Sequence, residues 1–151
     1  MPISRTARAL FAGALIASLS GCGFIAAGNK SSVKPSGFVL TGQAAVALPA
    51  GDTASVGTSC QAPAGATDVA PNVAVTVSDP AGTKIATGTL GSGVVTGSGS
   101  ALVCSFPFEI AAVPGNDPTY GIAIGGRPPQ TFPGPALRES TQAVVTITPA
   151  R

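Results

Sequence analysis

The stretch Ala101-Leu-Val-Cys-Ser-Phe-Pro-Phe-Glu-Ile110 decides the fold of this 151-residue chain. Leu102, Cys104, Phe106, Phe108 and Ile110 recur at every second position, so an extended backbone puts them all on one face. That face carries two of the six Phe residues and one Cys into a core. Pro107 falls on the other face. It has no N–H for a ladder, which predicts an edge position or a bulge there.

The same period of two runs outward in both directions. Phe38, Leu40, Ala44, Val46 and Leu48 share one parity, and Pro49-Ala-Gly-Asp52 breaks that run. Val56–Cys60 reads as a short second strand and 61–71 as loop. Val73, Val75 and Val77 alternate with Ala74, Thr76 and Ser78. Asp79-Pro80-Ala81-Gly82 then places Asp, Pro and Gly where a type I turn prefers them, and Thr83–Leu90 returns as the second arm of a hairpin. Residues 91–100 read as a flexible Gly/Ser loop. Beyond 110, Val113–Pro118 is a turn cluster and Tyr120, Ile122 and Ile124 form a strand. Residues 125–138 are an irregular Gly/Pro-rich excursion, with one helical turn at Ala136–Ser140. Gln142–Thr148 closes the chain as a strand. Seven short strands with turns between them predict an all-β, antiparallel sandwich of the Ig-like or prealbumin-like kind.

The N-terminus reads differently. Arg5 and Arg8 precede Ala9–Leu19, an apolar run of 11 residues broken only by Ser18. A bilayer span needs about 20 residues, so this run fits the h-region of a signal peptide. It ends in Leu19-Ser20-Gly21-Cys22, which resembles the lipobox of bacterial lipoproteins. In that family the Cys sulfur takes a diacylglyceryl group and a peptidase cuts just before it. The resemblance implies a signal peptide over 1–21 and a lipidated Cys22 with a tether over 22–36, which leaves 37–151 as the β-sandwich domain read from the strand pattern. It also implies export and an acyl anchor holding the chain to the outer side of the cell membrane.

This division changes the charge arithmetic. The formal charge is +2, and only 9% of residues are charged against roughly 25% in an average protein. Without residues 1–21 the chain carries six cations and six anions. A neutral chain gives no basic patch for nucleic acid. Gly (20) and Pro (14) are numerous, which fits short strands and many turns.

Cys60 and Cys104 remain once Cys22 is assigned to lipid. In an exported chain an even pair is read as a disulfide. The alternatives are two free thiols or a metal pair, although no His and no C-x-x-C accompanies them. No metal and no cofactor is expected.

The chain has no His, no P-loop, no G-x-S-x-G and no H-E-x-x-H, so it is read as non-enzymatic. Asp68, Asp79, Glu109 and Asp117 lack Ca²⁺-loop spacing and read as turn formers or surface acids. Arg127, followed by Pro128, Pro129 and Phe132, makes a candidate partner loop, since loops on rigid sandwiches often carry function.

Two family resemblances follow. Val73–Ala86, with Val113-Pro-Gly115 ahead of Tyr120-Gly-Ile-Ala-Ile124, is similar to the hairpin and later strand of carboxypeptidase-regulatory-like domains, which are prealbumin-like sandwiches. Asn116–Thr119 is an insertion relative to that pattern. The whole chain, with its lipobox and Cys104-Ser-Phe-Pro-Phe108, resembles small actinobacterial lipoproteins, including mycobacterial ones. The resemblance carries location and architecture and no catalytic activity. The expected role is a membrane-anchored binding or scaffold module with an envelope protein or glycan partner. The alternative is a small-ligand or lipid carrier, for which a domain of about 115 residues rich in Ala and Val leaves little spare volume.

Overall fold

The computed structural model describes residues 36–99, 101–139 and 142–149. The lipobox residues Leu19, Ser20, Gly21 and Cys22 and the tether through residue 35 lie outside the described residues.

Among the described residues, eight strands and one short helix build an all-β sandwich of two four-stranded sheets. In chain order they are β1 (Gly37–Ala47), β2 (Ala74–Ser78), β3 (Lys84–Thr89), β4 (Val94–Ser98), β5 (Ala101–Pro114), β6 (Thr119–Ile124), β7 (Gln130–Pro133), α1 (Gly134–Arg138) and β8 (Ala143–Ile147). One sheet has the order β4-β5-β1-β8 and the other β3-β2-β6-β7.

The alternation in 101–110 is realised. Cys104, Phe106, Phe108 and Ile110 are buried, while Pro107 and Glu109 are exposed. They pack with Leu40, Ala44 and Val46 of β1, Val75 and Val77 of β2, Tyr120, Ile122 and Ile124 of β6, and Val145 and Ile147 of β8. Burying such side chains contributes about 1.5–3 kcal/mol each, and this one layer holds the two sheets together.

β5 is a central strand, paired with β1 along most of its length and with β4 over 101–105. Pro107 nevertheless sits at a local edge, because β4 has no partner for it. Its carbonyl accepts from the Gly91 N–H at 2.7 Å. In an antiparallel strand N–H and C=O of one residue point the same way, so the missing N–H falls on this side, clear of the β1 ladder. The bulge lies further on. Phe38 opposes Val113 and Leu40 opposes Ile110, so β5 carries one extra residue there, with Ala112 at φ 58°.

Several sequence expectations change. Val56–Cys60 forms no strand of its own. It runs along the outside of β4 with a single bridge, Ser59 to Val94. The Gly/Ser segment supplies β4, because Val94, Val95 and Thr96 are flanked by a partner on each side. The 125–138 excursion supplies β7 and α1, with the helix two residues earlier than expected. Pro135 near its N-terminus needs no N–H donor there. One pair is parallel: β8 lies beside β1 in the same direction. The chain reaches it by crossing from the other sheet through α1, a connection that permits parallel pairing.

The β2–β3 hairpin forms as expected. The Gly82 N–H donates to the Asp79 carbonyl, and the Thr83 N–H to Asp79 Oδ1 at 2.8 Å. Gly82 has φ 84°, which favours glycine.

Candidate functional site

Strand direction fixes two ends. β1 begins at Gly37, where the 22–36 segment joins. β1, β6 and β8 finish or turn at the opposite end, where 48–73 and 125–129 gather.

At that far end Arg127 lies in the turn after β6. Its Nε donates to Asp68 Oδ2 and its Nη2 to Asp68 Oδ1, both at 2.7 Å. Nη1 lies 3.5 Å from the Thr148 carbonyl. This two-pronged geometry suits a guanidinium and a carboxylate. The Arg127 guanidinium holds the Asp68 carboxyl below its usual range, mainly through these hydrogen bonds, and Asp68 raises Arg127 in turn. Asp68 is 53% exposed at its side chain and Arg127 25%, so water screens the pair.

Arg127, read as a partner-loop residue, is therefore engaged within the chain. It ties the 61–73 loop to the 125–129 turn. Phe132, its companion in that reading, is half-buried on β7 and packs against the core, opposite Tyr120 in the ladder. The two do not form one exposed patch. The proximity of Asp68 to Arg127 had no signal in the sequence, because 59 positions separate them.

Beside the far end lies an open groove of about 600 Å³. Ser59, Gln61, Thr67 and Ser92 give it hydroxyl and amide groups, while Ala62, Ala70 and Pro71 give it apolar surface. Its wall includes Cys60, joined to Cys104 as expected, with Cα atoms 5.8 Å apart. Gly93 makes the approach possible, since a Cβ there would meet the Cys60 carbonyl at 2.6 Å. No residue lining the groove is charged. Such a surface suits a neutral ligand with one apolar side. The volume lies within the roughly 300–1,000 Å³ typical of ligand pockets, although the groove is open to solvent. The groove escapes sequence reading because its walls come from 59–71, 92–93 and 106.

Among the described residues no three His, Cys, Asp or Glu side chains gather where a metal ion would sit. Asp79 serves the hairpin turn and Asp52 accepts from the Ala54 N–H at 2.8 Å. Among the described residues no helix is long and apolar enough to cross a membrane.

The fold and its far-end loops define an all-β sandwich with an uncharged groove. No family model, no curated protein and no solved structure matches the chain.

Proposed function

We propose that this chain is a cell-envelope lipoprotein held to the outer side of the membrane by acyl chains on Cys22. The Leu19-Ser20-Gly21-Cys22 box at the end of a short apolar run carries this reading. Two acyl chains suffice for stable retention, each buried methylene contributing about 0.8 kcal/mol. The sandwich then serves as a non-catalytic binding or scaffold module. Its far-end loops point away from the start of β1, which favours an envelope protein or glycan as partner. Nucleic acid, metal and cofactor have no part in it. The likeness to actinobacterial lipoproteins and to prealbumin-like domains belongs to this proposal.

The test is Cys22→Ala in cells fractionated into membrane and soluble parts. Release of the variant is expected, and its continued retention refutes the anchor. Photo-crosslinkers at Gln61 and Pro128 test the module, and the expected outcome is one recurring envelope partner. Crosslinks no different from those of a crosslinker at Thr131 refute a binding role for these loops.

The 600 Å³ groove favours a second reading, a carrier of a small neutral ligand. Native mass spectrometry of the protein from cells would show the added mass. A spectrum without it rejects the carrier.

A further inference from the structure

The sheet that ends in β4 carries one more strip of backbone. Residues 57–60 run antiparallel along β4: the Gly57 N–H donates to the Val95 carbonyl and the Val95 N–H to the Thr58 carbonyl, both at 2.9 Å, and the Cys60 N–H to the Gly93 carbonyl at 3.0 Å. The last two bonds flank the bridge between Ser59 and Val94. Ser59 is therefore a non-hydrogen-bonded member of the ladder, and its own N–H and C=O point away from β4. The disulfide from Cys60 to Cys104 of β5 pins the strip at the next residue.

Gln61 has the same parity as Ser59. Both residues are exposed, and both line the 600 Å³ groove. Among the described residues no backbone group bonds to the N–H or C=O of either. Residues two apart on an extended chain stand about 6.7 Å apart, which is the repeat at which a peptide strand presents its own donors and acceptors. The lining is uncharged, with Ala62, Ala70 and Pro71 as apolar surface. Phe106 is fully buried, so among the described residues the groove has no open ring face on which a sugar would stack.

We infer that the groove takes an extended, uncharged peptide segment of an envelope protein, which adds as a strand to the 59–61 edge. Main-chain bonds to Ser59 and Gln61 supply affinity, and the surface of Ala62, Ala70 and Pro71 selects small apolar side chains at alternate positions. A charged side chain entering the groove would lose water without gaining a partner, which restricts the occupant to neutral sequence. The disulfide and the bonds to β4 hold the edge in place, so the ordering cost falls on the peptide. This occupant presupposes the binding-module reading and gives its partner a chemistry.

The test uses the full chain in mild detergent against a displayed library of short random peptides. Enriched peptides are expected to share an uncharged core with small apolar residues at alternate positions. Copies of the best peptide N-methylated at alternate residues of one parity are expected to bind about tenfold more weakly than copies methylated at the other parity, because one set of N–H groups faces Ser59 and Gln61. Gln61→Pro removes an N–H that bonds no backbone group among the described residues, and it is expected to weaken binding about tenfold, whereas Gln61→Ala keeps that N–H and is expected to change it less than about twofold. Should Gln61→Pro unfold the chain, the two methylated series on the unaltered chain decide. No enrichment, or equal binding by both series, overturns the inference. Loss with Gln61→Ala and none with Gln61→Pro also overturns it, and points to side-chain recognition of a ligand such as a saccharide. If peptide binding fails while the Gln61 crosslinker still captures one envelope partner in cells, the binding module stands and strand addition alone is rejected.

Discussion

Gln130 on β7 and Thr146 on β8 close the sandwich across its two sheets. Gln130 Nε2 donates to the Thr146 carbonyl at 2.7 Å, and the Thr146 N–H donates to Gln130 Oε1 at 3.3 Å. The side-chain amide thus takes the place that a neighbouring strand's peptide would occupy. Gln130→Ala is expected to speed hydrogen exchange at the Thr146 amide and to cost about 1 kcal/mol in urea unfolding. Unchanged exchange at that amide would show that the contact does not protect the edge.

The Cys60–Cys104 disulfide spans 44 positions and fastens the strip over β4 to the middle of β5. Cross-linking a loop of this length removes about 4 kcal/mol of chain entropy from the unfolded state. That is a large share of the roughly 5–15 kcal/mol available to a small domain. The Cys60→Ala, Cys104→Ala pair is expected to lower unfolding stability by about that amount. It is also expected to expose the Val95 amide to exchange.

Tyr120 is fully buried, and its ring meets Phe38 edge-on with centroids 5.7 Å apart. Its hydroxyl donates to the Pro114 carbonyl and accepts from the Asp117 N–H. One phenol therefore ties the 114–118 turn to the core. Tyr120→Phe leaves both backbone groups without that partner. The expected cost is about 1–2 kcal/mol, with faster exchange at Asp117 and little change at β2.

Gly42 lies between β5 and β8. A Cβ there would run into the Phe108 ring and meet the Ala143 carbonyl at 2.6 Å. Gly42→Ala is expected to destabilise by about 1–3 kcal/mol through overpacking. A thermal melt reads the loss directly, and an unchanged midpoint would show that β8 can shift aside.

Asp68 and Arg127 set a pH dependence of known sign. Folding holds the Asp68 carboxyl below its usual range, so the folded state favours the ionised form. Its contribution is complete above the unfolded carboxylate value of about 3.9. It is lost as pH falls through the lower folded value. The stability difference between the native chain and Asp68→Asn should therefore be constant above about pH 5 and shrink toward zero in acid. The exposure of the pair limits the coupling to about 0.5–1 kcal/mol. A double-mutant cycle with Arg127→Gln in low and high salt measures it, and a salt-independent value would contradict a screened surface pair.

The parts that could be read in advance share a physical basis. Where one face of a strand is buried, the period of two writes itself into the residues, as in 101–110 and in Val73–Val77. Where a turn needs a special backbone, the chemistry is local, as in Asp79–Gly82. The unread parts depend on partners distant in the chain. Val94–Ser98 is a strand because β5 and 57–60 flank it. Gln130–Pro133 is a strand because β6 offers an edge. Arg127 reads as a partner-loop residue in the sequence because its carboxylate partner stands 59 positions away. The groove draws its walls from three separate segments.

Sequence alone therefore determined the all-β character and the faces of the main strands, through alternation, and it pointed to Cys60 and Cys104 as a pair once Cys22 was set aside for lipid. Tertiary structure decided which strands share a sheet and that β8 runs parallel to β1. Those outcomes depend on where the backbone hydrogen-bonding groups of remote segments meet, and no run of neighbouring residues records that.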